Sequence, residues 1–228
     1  MEEFPQNTRQ EMKQEENKIE NPKVKEGVDF VFEQNPKLAE IGNKEQYSEY
    51  LDNVFPKSII KDIVWHGSKE RIELFNKNRV GENTGNKVKG IFLTTNPKIA
   101  TDYNPVLQGA VINLLGDKYS SETLASIKKS FREDLKEKLT EEELNEIESL
   151  TLDEIEEYTR SDANKTGKTI EDYLLEVGVT GEKFKDNENL EYYDFDNIRF
   201  LGTRLDIEKF KEFAEGQKAD PKPLSSIQ

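Results

Sequence analysis

One short segment, Trp65-His66-Gly67-Ser68, combines residue types that can bind a polar ligand through side chains and backbone. Because glycine lets a ligand approach closely, the N–H and C=O of Gly67 can both bond one planar amide, and Ser68 adds a third polar group. His66 is the sole histidine of the sequence. A lone histidine is more often a hydrogen-bonded structural residue, so the segment alone leaves a structural and a binding role open.

A second candidate is Glu191, in the segment LEYYDFD (190–196). In a strand, the two-residue period places Glu191, Tyr193 and Phe195 on one face. A carboxylate in line with two aromatic rings is unusual in an apolar core. This pattern predicts either a solvent-open strand end or a cleft.

A third candidate group is aromatic. Phe92 lies in the segment GIFLT (90–94), and Tyr103 follows eleven residues later. Aromatic residues near a strand end are usually core residues, so on their own these two are expected to serve packing.

The predicted elements bring these candidates to strand ends. Segment 59–65 is rich in β-branched residues and predicts a strand that runs into His66. Further strands are predicted at 90–94, 109–115, 190–195 and 198–201, and helices at 43–55, 98–103 and 206–213. Strands, a helical insertion and more strands indicate an α+β fold rather than repeated βαβ units.

The helical insertion covers residues 117–176. Leu124, Ile127, Phe131, Leu135 and Leu139 share one helical face, and capping boxes are predicted at Thr140–Glu143 and Thr151–Glu154. A further helix is predicted at 169–177. The segment holds 18 acidic and 9 basic residues and therefore carries most of the formal net charge of −14.

Composition excludes several classes of site. The absence of cysteine rules out disulfides, zinc–thiolate sites and cysteine nucleophiles, and a single histidine argues against a histidine metal centre, so no metal is expected. No apolar run reaches the roughly 18 residues of a membrane span, and no signal peptide is recognised, so a cytoplasmic protein is expected. Nucleic acid is an unlikely partner for so acidic a chain, because the lysines of the insertion alternate with acids.

The ends are expected to lie outside the domain. Residues 1–26 are highly charged and hold few apolar side chains, which predicts a flexible arm. Residues 214–228 contain Pro221 and Pro223 and predict a second flexible tail. The domain is therefore expected over residues 27–213.

Taken in order, the three candidate segments resemble the ADP-ribosyltransferase fold in its diphtheria-toxin and poly(ADP-ribose) polymerase branch, which carries His, Tyr and Glu on three separate strands. The flanks 43–68 and 196–213 resemble the ADP-ribosyltransferase-like modules of polyvalent proteins from phages and mobile elements. The resemblance covers about residues 28–213, with 117–176 as an insertion. It implies a split antiparallel β-sheet with flanking helices.

The resemblance also implies a role for each residue, with NAD as co-substrate. His66 would bind a ribose hydroxyl, Gly67 and Ser68 would bind the nicotinamide carboxamide, and Phe92 and Tyr103 would sandwich the nicotinamide ring. Glu191 would bond the 2′-hydroxyl of the ribose and stabilise the oxocarbenium-like transition state. His66 and Glu191 are thus the catalytic candidates.

Two departures from the family pattern carry functional meaning. Phe92 stands where the family has a tyrosine, which keeps a ring for stacking but loses the hydroxyl. Asn189 precedes Glu191 by two residues, so the Glu-x-Glu pair of arginine-modifying transferases is absent, and His66 also argues against the Arg-Ser-Glu branch.

Two functions follow as alternatives. The first is an NAD-dependent ADP-ribosyltransferase in the bacterial host cytoplasm, with a protein as the expected acceptor. Nucleic acid, a small molecule and water remain alternative acceptors, and water would make it an NAD glycohydrolase. The second is a catalytically degenerate binding or virion-associated structural module of the same fold, favoured by Phe92. In either case the acidic insertion caps the cleft, docks the acceptor or decorates the surface.

Overall fold

The computed structural model describes residues 24–73, 90–161, 166–184 and 188–219. The strands are β1 (Val64–Ser68), β2 (Ile91–Thr94), β3 (Val106–Ile112), β4 (Gly181–Lys183), β5 (Asn189–Tyr192) and β6 (Ile198–Phe200). They form one sheet in the order β4-β5-β2-β1-β3-β6, and every neighbouring pair is antiparallel. The predicted α+β class is confirmed at this level: an antiparallel six-stranded sheet is flanked by helices.

The helices fall into two groups. Those that pack with the sheet are α1 (Val28–Gln34), α2 (Leu38–Ile41), α3 (Lys44–Val54), α4 (Pro97–Tyr103) and α9 (Arg204–Ala219). Those of the insertion are α5 (Ser121–Leu135), α6 (Glu141–Glu146), α7 (Leu152–Ser161) and α8 (Ile170–Glu176), with a short 3₁₀ turn at Ile147–Ser149. Within the described ranges, no helix is both long and apolar enough to cross a membrane.

The core has three parts. One cluster joins α1, α3 and α9 to a sheet face through side chains that include Tyr47, Trp65 and Phe210. A second lies on the opposite sheet face and includes Val64 and Tyr192. The third belongs to the insertion, where Ile127, Phe131 and Leu135 of α5 are fully buried, and it also takes in Val179 and Tyr193. The insertion therefore has its own core, which is continuous with the end of β5.

Hydrogen bonds from capping side chains determine where the predicted helices begin. The Asn43 side chain accepts the backbone N–H of Gln46, and the Asn43 backbone N–H donates to the Gln46 side chain, so α3 begins there. Thr140 and Glu143 make the same box for α6. Thr151 and Glu154 do so for α7. These predicted helices are confirmed.

The predicted strand 59–65 is shifted in the structure, where β1 begins at Val64 and includes His66, Gly67 and Ser68. Ile59 is largely exposed, and the Ser58 hydroxyl accepts the N–H groups of Ile60 and Leu114. The Ile59 N–H donates to the Leu114 carbonyl, so this segment is held by the Ser58 hydroxyl and one backbone bond rather than by a ladder. The candidate residues lie within a strand rather than after one.

Strand β3 also differs, at 106–112 instead of 109–115. The N–H of Asn113 is shared between the Asn197 carbonyl and the Tyr192 hydroxyl. Those of Leu114 and Leu115 donate to the hydroxyls of Ser58 and Thr180, so the chain leaves the ladder there. Strand β5 ends at Tyr192, before the predicted end at 195, because the Asp194 carbonyl and carboxylate bond Asn197 in a turn. Helices α1 and α2 and strand β4 were not predicted.

The predicted ends lie partly outside the described residues. Val24 packs against the core and the Lys25 N–H donates to Ser48, so the last residues of the predicted arm belong to the domain. Helix α9 continues to Ala219, beyond its predicted end at 213 and into the predicted tail. Residues 1–23 and 220–228 lie outside the described ranges.

One buried carboxylate connects the helical layer. Asp206, near the start of α9, is fully buried and accepts hydrogen bonds from the hydroxyls of Tyr47 and Tyr50 and from the N–H of Gly202. It therefore ties α3 to α9 and to the turn after β6. Hydrogen bonds to a charged group contribute more than neutral ones, and buried donors that lose their acceptor are costly.

We expect Asp206→Ala to lower the free energy of unfolding by about 3–5 kcal/mol, since three buried donors lose their acceptor. Urea denaturation followed by circular dichroism measures this change, with Asp62→Ala at an exposed position as the control. Tyr47→Phe removes one of the three bonds and should cost about 1–2 kcal/mol. Equal stability of Asp206→Ala and wild type would contradict this structural role.

Candidate active site

The sheet opens between β1 and β2. In the described part of the chain these strands pair at one position, Trp65 with Thr94, whereas β1 and β3 pair at five. Beyond Trp65, residues 66–68 of β1 and 91–93 of β2 border the opening. The three predicted segments therefore lie on adjacent strands, with β2 between β1 and β5.

The backbone of Gly67 faces this opening. Gly109 is the β3 partner of Trp65. The Gly109 carbonyl accepts the N–H of Leu201 at 2.8 Å on the side away from β1, so the N–H and C=O of Gly109 point away from β1. Trp65 and Gly109 are therefore a non-hydrogen-bonded pair, and the N–H and C=O of Trp65 point toward β2. Gly67, two residues later, has the same orientation. Its N–H and C=O are directed into the opening, where they can meet a planar amide.

Only glycine fits at position 67. An ideal Cβ there would lie 1.9 Å from the carbonyl oxygen of Ala100 in α4. The amide of Asn104, just after α4, also donates to the Gly67 carbonyl at a long 3.4 Å. The close approach that the sequence predicts for this glycine is therefore made by α4 on one sheet face.

His66 crosses the opening. Its Nδ1 lies 2.9 Å from the carbonyl oxygen of Phe92. Because a carbonyl only accepts, this contact assigns the proton to Nδ1 and leaves Nε2 as an acceptor in the neutral ring. Burial lowers the pKa of His66 below 6.5, although the Phe92 carbonyl opposes the shift. At neutral pH the ring is thus an uncharged acceptor suited to a hydroxyl group.

The Ser68 hydroxyl already makes a hydrogen bond within the chain. Its hydroxyl donates to the carbonyl of Glu70 in the following turn. A serine hydroxyl has one proton, so what remains for a ligand is its acceptor capacity. The predicted contact of Ser68 with a carboxamide is therefore limited to accepting the amide N–H.

Phe92 and Tyr103 present accessible rings. Phe92 is 46% exposed on β2, and Tyr103, the last residue of α4, is 75% exposed. These values contradict the packing role that aromatic residues near strand ends usually have. Phe92 touches Phe184, with ring centroids 6.4 Å apart, and no ring contact between Phe92 and Tyr103 occurs among the described residues.

Glu191 lies at the centre of a row of three strand residues. It is the register partner of Phe92 on β2 and of Glu182 on β4. Directly paired residues of antiparallel strands project on the same face, so an aromatic ring and a second carboxylate flank Glu191. Tyr193 follows on this side, whereas Phe195 packs against the core of the opposite face. The prediction that Glu191, Tyr193 and Phe195 share one face is therefore wrong for Phe195.

The carboxylate of Glu191 is buried and under-bonded. The residue is 9% exposed, and its Oε1 has no hydrogen-bond partner among the described residues. An ideal Cβ at Gly90 would lie 2.4 Å from this oxygen, so the backbone of Gly90 closes one side. A buried acceptor with unused capacity is costly for folding and is available to a ligand hydroxyl.

The surroundings of Glu191 raise its pKa. Burial is the largest effect, and the charges of Glu182, Glu171 and Glu156 add to it, while Lys118 opposes them; together they raise the pKa to about 7. Strongly perturbed carboxyl groups in clefts are frequent at functional sites. Among the described residues, His, Asp and Glu form no group of three or more suited to a metal ion.

Three residues at the site, Glu182, Lys118 and Tyr119, were missed by the sequence analysis. Glu182 stands beside Glu191, and Lys118, Tyr119 and Tyr193 donate to its carboxylate at 2.8, 3.0 and 3.0 Å. Strand β4 has only three residues and no periodic pattern, and Lys118 lies in a segment whose charges suggest a solvated surface. The contact of Lys118 with Glu182 spans 64 residues of the sequence, so no local signal reports it.

Comparisons with protein-family models, with curated proteins and with solved structures found no match to this chain.

Replacing Glu191 by Gln should stabilise the protein in a pH-dependent manner. The folded-state pKa of about 7 lies above the ordinary 4.5, so the stability of the wild type falls as pH rises through this window. We expect Glu191→Gln to gain about 1–3 kcal/mol over wild type at pH 8 and almost nothing near pH 4. Urea titrations at both pH values measure this, with Glu137→Gln at an exposed position as control. A pH-independent difference would contradict the raised pKa.

Proposed function

We propose that this protein is an NAD-dependent ADP-ribosyltransferase with a split-sheet core of the diphtheria-toxin and poly(ADP-ribose) polymerase type. The observation that carries the proposal is the placement of His66, Phe92 and Glu191 on the adjacent strands β1, β2 and β5, with the opening of the sheet between β1 and β2. The family resemblance implies these three residue types on three separate strands, except for the replacement of tyrosine by Phe92.

The groups at the opening suit the nicotinamide end of NAD. The backbone N–H and C=O of Gly67 complement a primary carboxamide, which has one acceptor and two donors. The exposed ring of Phe92 offers an apolar face for the pyridine ring, and Tyr103 is the proposed second face. The neutral Nε2 of His66 is an acceptor for a ribose hydroxyl.

Glu191 supplies the electrostatic contribution to the reaction. As the bond between ribose C1′ and the nicotinamide nitrogen breaks, its electron pair goes to nicotinamide and positive charge develops on the ribose. A fixed carboxylate in a partly desolvated site stabilises such charge more than water does. The unpaired Oε1 of Glu191 is the proposed acceptor for the 2′-hydroxyl.

Positive charge of the bound co-substrate also favours the reactive form of Glu191. A nearby cation lowers the pKa of a carboxylic acid, so binding shifts Glu191 toward the carboxylate.

The acceptor nucleophile then forms a bond to C1′ and loses its proton. A protein acceptor is proposed, with water, nucleic acid and a small molecule as the alternatives that product analysis distinguishes.

The second candidate is a binding module of the same fold without turnover. Two observations favour it: Phe92 lacks the hydroxyl of the family's tyrosine, and the only proton of the Ser68 hydroxyl is donated to Glu70. Both weaken contacts to a ligand without removing Glu191. Nicotinamide release by the purified protein would exclude this alternative.

Glu191→Gln is expected to lower kcat for nicotinamide release by about 100-fold or more, with the Kd for NAD changed by less than about threefold. The reason is that the positive charge on the ribose develops only in the transition state, whereas the pyridinium charge of bound NAD is attracted by Glu191 together with the neighbouring carboxylates. Etheno-NAD turnover and calorimetry measure the two quantities, and labelled NAD with a cell lysate identifies the acceptor. Glu137→Gln serves as the control, and equal losses of kcat and affinity would contradict this role.

The activity should depend on pH through Glu191. Since kcat/KM reports the free protein, we expect it to rise with pH around a midpoint near 7, where Glu191 loses its proton. Protonation of His66, whose pKa is below 6.5, removes an acceptor and steepens the loss in acid. Initial rates at low NAD between pH 5 and 9 test this. A midpoint near 4.5 would assign the activity to a solvated carboxylate instead.

A further inference from the structure

The insertion reaches the candidate site through one buried ion pair. Lys118, at the start of the insertion, lies 2.8 Å from Glu182 of β4 and 3.6 Å from Glu156 of α7. The side chains of Lys118 and Glu182 are 8% and 9% exposed. A buried pair of this kind is costly to form and strongly destabilising to break, so its position beside Glu191 calls for a specific explanation.

Glu182 is held from three directions. Its Oε1 accepts from Lys118 and from the Tyr193 hydroxyl at 3.0 Å, and its Oε2 accepts from the Tyr119 hydroxyl at 3.0 Å. Burial raises the pKa of both tyrosines, as do the neighbouring carboxylates, so both hydroxyls stay protonated as donors. Burial alone would lower the pKa of Lys118, but Glu182 outweighs it and the pKa is raised. Three donors therefore hold the Glu182 carboxylate in one position.

Glu182 and Glu191 are direct cross-strand partners. Two like charges opposite each other in a sheet repel, and when two carboxylates share a site one of them tends to keep its proton. The described charged groups that act on Glu191 are Glu182 on β4, Glu171 on α8, Glu156 on α7 and Lys118. On β2 it faces Phe92, which carries no charge.

From this geometry we infer that Lys118 is a positioning residue for Glu191: by holding Glu182 in an ion pair, it allows both carboxylates of the site to be ionised together. The insertion thus completes the active site electrostatically, in addition to enclosing its own core. The catalytic consequence rests on the proposed function, whereas the coupling between the carboxylates is a property of the folded chain. The two parts can be tested separately.

The test compares two single variants with opposite expected effects. Lys118→Met removes the compensating cation, so the titration midpoint of Glu191 should rise by about one unit. Glu182→Gln removes the repelling anion, so the midpoint should fall by about one unit. A loss of folded structure alone would not raise the titration midpoint of Glu191 in one variant and lower it in the other.

Turnover should follow the ionised fraction of Glu191. With a midpoint near 7, a rise of one unit lowers kcat/KM at pH 7 about fivefold, and the loss is recovered at pH 9. A fall of one unit raises kcat/KM at pH 6 about fivefold. Lys118→Arg keeps the cation and should retain the wild-type midpoint.

Two further variants distinguish the electrostatic effect from an effect of misfolding. The double variant Lys118→Met/Glu182→Gln removes both charges together and should bring the midpoint back near that of wild type. Lys168→Met is the matched control, because Lys168 bridges Asp134 and Glu176 within the insertion at 2.9 and 2.8 Å. It should leave the midpoint unchanged.

The midpoint is measured by carbon-detected NMR of ¹³C-glutamate side chains, with Glu191→Gln assigning the signal, and nicotinamide release is measured in parallel. Opposite shifts of the NMR midpoint in the two single variants support the inference. Unchanged midpoints overturn it, even if NAD turnover is present and the proposed function stands. Shifted midpoints without any turnover retain the coupling and overturn the proposed function.

Discussion

The separation of β1 from β2 after Trp65 is the constraint on which the site depends. A strand that loses its neighbour leaves N–H and C=O groups without ladder partners, and buried groups of this kind must be satisfied in another way. Here His66 bonds the Phe92 carbonyl and Asn104 reaches the Gly67 carbonyl, so the opening is held by side chains instead of a ladder. The same polar backbone edge that the opening exposes is what a planar amide can bind.

The burial of Glu191 lowers the stability of the folded chain. The residue is buried beside Glu182, with an unbonded oxygen and a raised pKa of about 7. Asp206 is the contrasting case, because its buried carboxylate accepts from Tyr47, Tyr50 and Gly202. Both carboxylates are removed from water, yet only Asp206 is fully bonded by its own chain. The difference marks Glu191 as a residue whose partner is expected to come from outside.

The parts of the fold governed by local chemistry could be predicted from the sequence. Capping residues such as Asn43 and Thr140 report local hydrogen bonds, so the starts of α3 and α6 were predicted correctly. The predicted helical face of α5 holds as far as Leu135, where the helix ends, and is wrong for Leu139. Strand limits were less accurate because distant hydroxyls, such as that of Thr180, decide where β3 ends. The motif residues that border the opening were predicted, whereas Lys118 and Glu182 were not, since 64 residues separate the two partners.

Charge around Glu191 also orients the proposed co-substrate. The described groups acting on Glu191 are three carboxylates and one ammonium, so the local field is negative. NAD is itself asymmetric, with a positive pyridinium ring at one end and a negative pyrophosphate in the middle. Like charges placed together cost several kcal/mol in a binding site, whereas opposite charges fix the register of the complex. Under the proposed function, the carboxylates around Glu191 would favour the nicotinamide end there and disfavour the reversed orientation. The net negative charge of the insertion, which argues against nucleic acid as a partner, is consistent with a site that stabilises developing positive charge on a ribose.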